Sequence, residues 1–184
     1  FRKLLVQKIA QERNLGSDDR TRLAVFTAAM TLRTERQGQH WAKTLGEIQD
    51  KARRMEEVHN APARTSREIA ALVAQIQPAL IGLGLEPVAE EYRGMKMAIF
   101  RAPKDQYFIT SDSPVAWFDP EAYKRPPLFR SPGLGYTTVE VTLPLSPKYL
   151  LLFSRNERLD GYLAANGRVV SEINYRTRAH CHWW

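Results

Sequence analysis

The chain has 184 residues, 43% of them hydrophobic and 26% charged, which is typical of one well-buried globular core and argues against disorder. One cysteine excludes an internal disulfide framework and favours a cytoplasmic protein, and no stretch approaches the roughly 20 apolar residues of a membrane-spanning helix, so we expect a soluble protein with no membrane partner. The net charge of +7 favours nucleic acid or another anionic partner.

Residues 1–85 are predicted to form a helical half. A helical stretch begins at Ser17 or Asp18, either of which could cap it, and runs to about Val58. Its apolar positions recur every three or four residues but are interrupted around Gly38, which predicts two helices or one long kinked helix. The apolar series after the interruption is Trp41, Leu45, Ile48, Ala52 and Met55.

A third helix is predicted after Pro62. Thr65 and Glu68 have the spacing of a capping box, in which each side chain satisfies a free backbone N–H at the start of the helix. Pro78 is expected to bend or end this helix, and the glycines at 82 and 84 are expected to close the helical half.

Residues 92–184 are predicted to be rich in β-structure. The segments 95–102 and 106–110 are expected to form a hairpin, and residues 115–118 a further short strand. Two segments are candidates for central strands, because 137–143 alternates apolar with polar residues and 148–155 is continuously apolar. The prolines and glycines of residues 123–136 predict a long loop between them.

These elements predict a single α+β domain over residues 1–184. In it, the N-terminal helices pack on a mostly antiparallel sheet of four or five strands, and a C-terminal helix closes the fold. The apolar stripe of that last helix comprises Val170, Ile173, Thr177, Cys181 and Trp184.

Five short motifs occur in order along the chain: SDDR at 17–20, LRT at 32–34, FITSDSPV at 108–115, PLSP at 144–147 and EIN at 172–174. In these motifs the chain resembles an uncharacterised, mainly bacterial family known as domain-of-unknown-function family 4238. The resemblance spans most of the chain, and it implies no particular activity or cofactor.

The resemblance also implies that something precedes this chain. Members of the family typically open with a segment of the form His-x-x-Pro-x-x-x-Leu ahead of the first helix, and the present sequence has no such segment and begins with Phe1. We therefore expect that an N-terminal segment is missing and that a site using its histidine would be only partly represented.

The polar interruption at Ser111 and Asp112 is the first candidate site. A carboxylate at the end of a buried strand can act as a base, bind a ligand or hold an arginine, although Asp before Ser-Pro also commonly caps a turn. Arg33 and Arg36 lie on the long helical stretch where its apolar face falters, so either could pair with Asp112 or be solvated. Asn174 could reach the same polar centre or form structural hydrogen bonds.

A second candidate is the loop around residues 122–130. Tyr123, Lys124, Arg125 and Arg130 combine an aromatic ring with cations, the combination with which proteins stack bases and hold phosphates. Aromatic residues in a small α+β domain are more often part of the core, and a basic charge balance is by itself weak evidence.

No local pattern predicts a metal site or a cofactor. His40 and His59 have no nearby ligand partner, and neither a phosphate loop nor a dinucleotide fingerprint is present. The first hypothesis is therefore a small-ligand or partner-binding domain with a polar centre around Asp112. The alternatives are a hydrolytic enzyme using Asp112 with the absent N-terminal histidine, or a basic nucleic-acid-binding module.

Overall fold

The computed structural model describes residues 2–181, without the side chains of residues 2, 5, 6 and 36. The helices are α1 (Arg2–Leu4), which continues into a π-helical turn (Leu5–Ile9), α2 (Ser17–Leu32), α3 (Glu35–Val58), α4 (Thr65–Ala74), α5 (Ile76–Arg93) and α6 (Gly167–His180). The strands are β1 (Lys96–Arg101), β2 (Ala116–Phe118), β3 (Glu140–Pro144), β4 (Tyr149–Ser154) and β5 (Gly161–Ala164).

The five strands form one mixed sheet in the order β2-β3-β4-β1-β5. Three of the four pairings are antiparallel, and only β1 with β5 is parallel. The predicted α+β fold with a mostly antiparallel sheet and a C-terminal helix is confirmed. Both segments predicted as central strands, now β3 and β4, lie inside the sheet, whereas β5 escaped prediction because its four residues are only half-buried or exposed and show no apolar alternation.

Alternate side chains of β4 divide the core into two layers, because successive side chains of a strand point to opposite faces. Leu151 and Phe153 pack with residues of α2 and α5, including Leu23 and Tyr92. Leu150 packs on the other face with Val170 and Ile173 of α6. The sheet is therefore covered by α2 and α5 on one face and by α6 on the other.

Several predicted helix boundaries were wrong. The first helical stretch breaks at Thr34 and not at Gly38, because the Thr34 side chain accepts a hydrogen bond from the Gln37 backbone and starts α3. The predicted capping box at Thr65 and Glu68 does not form. Instead, Arg64 occupies the cap position and its Nε donates to Glu68 Oε1 at 3.1 Å.

Proline and glycine did not end the helical half where expected. The break falls at Gln75, and Pro78 lies in the first turn of α5, where a missing backbone N–H has no helical partner to lose. The helix then continues through both glycines to Arg93. Its far end is buried against the sheet through Ala89 and Tyr92, so tertiary packing outweighs the weak helix propensity of glycine.

The predicted hairpin of 95–102 with 106–110 was also wrong. The strand β1 has β4 and β5 as neighbours, so both of its edges are occupied. Residues 106–110 instead run as an irregular segment, in which the Phe108 N–H donates to the Pro147 carbonyl. The predicted strand at 115–118 is confirmed as β2.

No single helix in the described part of the chain is long and apolar enough to cross a membrane. Helices α4 and α5 meet that test only when taken together, and they are bent by 96° at their junction.

Candidate functional site

The motif Ser111-Asp112-Ser113-Pro114 forms a turn that leads into β2. Asp112 is exposed, and its Oδ1 accepts a hydrogen bond of 2.9 Å from the Ser113 N–H, which is a local cap of the turn. Ser113 and Pro114 are buried, and Pro114 restricts Ser113 to an extended conformation. The turn therefore brings the Ser113 side chain inward and leaves Asp112 at the surface.

A buried hydrogen-bond chain lies beneath this turn. Trp117 Nε1 donates to the Tyr92 hydroxyl at 3.1 Å, and the Tyr92 hydroxyl lies 3.0 Å from Thr31 Oγ1, which itself donates to the Thr27 carbonyl at 2.9 Å. Since each hydroxyl has one proton, the consistent order is Trp117 to Tyr92 to Thr31 to Thr27. Burial raises the pKa of Tyr92 to about 12, so this hydroxyl keeps its proton at neutral pH.

Above this chain lies a cavity of about 350 Å³, which we call the hydroxyl–imidazole cavity. Its lining comes from the end of α2, the start of α3, the segment leading into β2, the loop after residue 130 and the last residue of α6. The lining residues are Thr31, Thr34, Gln37, His40, Ser113, Val115, Trp117, Ser131, Pro132 and His180. None of these described residues carries a carboxylate.

The two histidines give the cavity its titratable groups. His180 Nδ1 lies 2.9 Å from the Arg176 carbonyl, and because a carbonyl can only accept, the proton of the neutral ring sits on Nδ1. The Nε2 atom of the neutral ring is therefore the acceptor nitrogen. His40 lies on the second turn of α3, where its ring meets Trp41 edge to face at 6.1 Å.

The structure describes the surroundings of some of the residues predicted to form a polar centre around Asp112. Asn174 is occupied by the backbone of the 106–110 segment, because its Oδ1 accepts from the Ile109 N–H at 3.0 Å and its Nδ2 donates to the Tyr107 carbonyl at 2.9 Å. Arg33 is exposed after the end of α2, and no ion pair joins it to Asp112 in the described part of the chain. The Arg36 side chain lies outside the described residues. The Ser111 hydroxyl is buried and has no hydrogen-bond partner among the described residues.

The predicted nucleic-acid loop contains a buried ion pair. Arg125 contacts Asp119, whose side chain is fully buried, and the Arg125 guanidinium lies 3.7 Å from the centre of the Tyr136 ring. Burial alone would raise the pKa of Asp119, but hydrogen bonds from Thr138, the Glu121 backbone and Arg125 hold it below its usual range. Through these contacts the pair connects the start of the loop to Tyr136 and Thr138 near its end.

The remaining predicted residues of this loop lie at its surface. Lys124 pairs with Glu121 at 2.8 Å, and Arg130 Nε donates to the Arg125 carbonyl at 2.9 Å. Tyr123 is 72% exposed. Of the four predicted residues, Tyr123 and Arg130 therefore present most of their side chains to solvent, while the two other cations are paired with carboxylates.

The sequence interpretation missed the cavity because its parts are distant in the chain. His40 seemed to have no ligand partner, yet it lines the same cavity as His180, almost at the other end of the described chain. Two of the five motifs quoted from the sequence contribute residues to the cavity. LRT contributes Thr34 to the cavity, and FITSDSPV contributes Ser113 and Val115.

The other quoted motifs have structural roles. Ser146 of PLSP caps the turn into β4, because its Oγ accepts from the Tyr149 N–H at 3.1 Å. Asp19 of SDDR accepts from the Gly16 N–H at 3.1 Å and pairs with Lys8, and Arg20 pairs with Asp160 at 2.9 Å.

Comparison with known proteins identifies the family and nothing finer. No curated protein and no solved structure matches the chain. One family model, described as "Protein of unknown function (DUF4238)", matches residues 2–184. That match covers nearly the whole chain and agrees with the resemblance seen in the motifs. The chain therefore belongs to the DUF4238 family of proteins of unknown function.

Proposed function

We propose that this chain binds a small anionic ligand in the hydroxyl–imidazole cavity. The observation that carries the proposal is the convergence of five separate segments of the chain on one cavity that presents hydroxyl, imidazole and amide groups. Ligand sites are commonly concave and combine an apolar wall with a few polar groups brought from different elements. Here Val115, Trp117 and Pro132 supply the apolar wall.

The sign of the ligand's charge follows from the lining. A cation would need a carboxylate, and the described lining residues include none. An anion would accept hydrogen bonds from the hydroxyl groups and the imidazole N–H groups of the lining, and the net charge of +7 would favour its approach. A volume of about 350 Å³ is near the lower limit for ligand pockets and suits a small molecule.

The support beneath the cavity favours a preformed site. Thr31 and Trp117 belong both to the lining and to the buried hydrogen-bond chain, so their positions are set by Tyr92 before any ligand arrives. A site held in this way loses less conformational entropy on binding than a flexible one.

Calorimetric titration with inorganic phosphate, acetate and malonate tests the proposal. We expect at least one probe to bind, because the hydroxyl and imidazole groups of the lining can donate hydrogen bonds to an anion. His40→Gln and His180→Gln should each weaken binding. His59→Gln, which changes an exposed histidine just after α3, is the matched control.

Two results would reject anion binding at this cavity. One is the absence of heat with every probe. The other is an equal effect of His59→Gln and His180→Gln, because that would show that the loss of binding does not come from the cavity.

Hydrolysis is a second candidate, favoured by one observation. Ser113 and His180 line the same cavity, and the Nδ1 proton of His180 leaves Nε2 as the basic atom. In this version Ser113 Oγ would attack an ester carbonyl while His180 takes its proton and returns it to the departing alcohol, and water would then release the acid from the acylated Ser113. Asp112 would hold the turn through the Ser113 N–H. Release of p-nitrophenol from p-nitrophenyl acetate should then disappear in Ser113→Ala and persist in Ser111→Ala.

The nucleic-acid hypothesis stays a prediction for the exposed part of the loop. It now depends on Tyr123 and Arg130, because Lys124 and Arg125 are engaged by Glu121 and Asp119. Binding of single-stranded RNA that weakens steeply with salt and is lost in Tyr123→Ala would support it.

A further inference from the structure

Helices α3 and α4 form an antiparallel pair, which we call the arm, and it is poor in buried apolar residues. The pair contains 34 residues, and none of the apolar side chains described in α3 and α4 is fully buried. Large apolar side chains instead remain partly in solvent: Trp41 is 38% exposed, Ile48 45%, Met55 60% and Val58 75%.

Three of these exposed side chains form a straight line on α3. Trp41, Ile48 and Met55 are seven residues apart, and seven residues are almost two full turns of an α-helix. A seven-residue apolar repeat is the pattern by which one helix packs along another. The line therefore has the form of a helix-packing face.

The arm's own partner covers a neighbouring face of α3. The Ser66 N–H at the start of α4 donates to Glu56 Oε1 at 3.1 Å, and Gly38 lies against the Gln77 side chain at the start of α5. Leu45 and Ala52, which lie between this contact and the line on the helix surface, are half-buried. The line through Ile48 thus lies at the edge of the seam between α3 and the helices that follow it.

Charge indicates which partner fits this line. Helix α3 carries five basic residues and five acidic residues, so its net charge is zero in a chain of net charge +7. The basic residues are Arg36, Lys43, Lys51, Arg53 and Arg54, and the acidic ones are Glu35, Glu47, Asp50, Glu56 and Glu57. Nucleic acid and anionic lipid are attracted by an excess of positive charge, which this helix lacks, whereas a second copy meets an equally neutral helix without repulsion.

We infer that the arm is a self-association surface, on which the line Trp41, Ile48 and Met55 packs against the same line of a second copy. Around a two-fold axis at Ile48, antiparallel pairing brings Trp41 of each copy against Met55 of the other, because both are seven residues from the axis. Methionine sulfur and an indole ring form a favourable contact. This inference does not depend on ligand binding in the hydroxyl–imidazole cavity.

Sedimentation equilibrium of the wild-type chain is the test, with loading from about 1 μM to about 1 mM, the range in which moderate and weak dimers dissociate. We expect the mass to rise from the monomer value of 21.1 kDa toward that of a dimer. Ile48→Lys should weaken the association about tenfold or more, because it places a charge at the centre of the packed line.

Gln39→Lys is the matched control. Gln39 is exposed on α3, and nine residues, or two and a half turns, place it on the helix side opposite Ile48. The control adds the same charge to the same helix, so the dimer should persist. Circular dichroism of both variants should match the wild type, since both positions are exposed.

Two outcomes would overturn the inference. One is a wild-type chain that stays monomeric over the whole range. The other is a dimer that Ile48→Lys and Gln39→Lys weaken equally. If a monomeric chain instead sediments with mixed phosphatidylcholine and phosphatidylserine vesicles through Ile48, the line is a lipid surface and not a dimer interface.

Discussion

Tyr92 and Phe153, which stack at 5.1 Å between α5 and the sheet, are completely buried, whereas Trp41 and Met55 on the arm are 38% and 60% exposed. The two regions contain similar apolar side chains and use them differently. In the sheet layer these side chains exclude water and stabilise the fold. On the arm the large apolar side chains remain partly in water, and the Ser66 N–H of α4 donates to Glu56 of α3.

The difference separates residues that make the fold from residues that are available for other roles. Ordering any side chain costs conformational entropy, and burial of apolar surface offsets that cost. A half-exposed tryptophan therefore stabilises the fold less than a buried one does. The hydroxyl–imidazole cavity lies between the two regions, with Trp117 belonging to the sheet and His40 to the arm. The following substitutions test how sharp this division is.

The largest effect is expected from a matched pair of aromatic truncations. Phe153→Ala should lower the free energy of unfolding by about 3–5 kcal/mol, because it leaves a cavity in the sheet layer. Trp41→Ala should cost about 1 kcal/mol or less, because its side chain is already partly in water. Urea unfolding followed by circular dichroism at low protein concentration measures both. Equal losses would mean that the arm is part of the same cooperative core.

The next effect concerns the loop that Arg125 and Asp119 tie together. Asp119→Ala should cost about 3 kcal/mol, because it leaves a largely buried guanidinium without its partner. Glu121→Ala, which removes the partner of the exposed Lys124, should cost about 0.5 kcal/mol or less. Denaturant unfolding of the two variants side by side gives the comparison.

Asp119 also predicts a pH dependence. The pKa of Asp119 is lower in the folded chain than in the unfolded chain. Its contribution to the free energy of unfolding is therefore present at pH values above the ordinary aspartate pKa, and it is lost as the pH falls through the pKa of the folded chain. The advantage of the wild type over Asp119→Asn should therefore shrink in acid below about pH 4. An advantage that stays constant down to pH 2 would show that the charge of Asp119 is not what stabilises the loop.

Tyr92→Phe should have a smaller effect. It removes the hydroxyl that receives the Trp117 N–H and contacts Thr31, so we expect a loss of about 1–3 kcal/mol for the buried groups left unpaired. The wild type should lose this advantage between about pH 10 and pH 12. Because burial raises the pKa of Tyr92 in the folded chain, its contribution to stability is present below the pKa of the unfolded chain and is lost as the pH rises through the folded value. Tyr162, whose pKa is also raised to about 12, titrates in the same range, so the difference between wild type and variant is the quantity to follow.

The smallest effect is expected at Asp112. Asp112→Ala should cost about 0.5–1 kcal/mol through the lost cap of the Ser113 N–H, and Asp112→Asn, which keeps an acceptor oxygen without the charge, should recover the part of this loss that comes from the cap. Thermal unfolding of the two variants distinguishes a cap from a charge. If Asn destabilises as much as Ala, the charge of Asp112 is held by the fold and the turn is more than a cap.

Much of the secondary structure could be predicted from the sequence, because helix and strand periodicity are local properties. The apolar alternation at Val139 and Val141 predicted β3, the continuous apolar run predicted β4, and the C-terminal stripe through Val170 and Ile173 predicted α6. The motif Ser111-Asp112-Ser113-Pro114 was likewise interpretable as a turn from its own residues.

The contacts between distant residues could not be predicted in the same way. Three features depend on contacts between segments far apart in the chain: the pairing of β1 with β4 and β5, the continuation of α5 past its glycines, and the placement of His40 and His180 in one cavity. Asn174 shows the same limit, since its partners at Tyr107 and Ile109 belong to another segment. The physical reason is that burial and hydrogen bonding are properties of the packed layers, whereas periodicity and capping can be recognised within a few turns of chain.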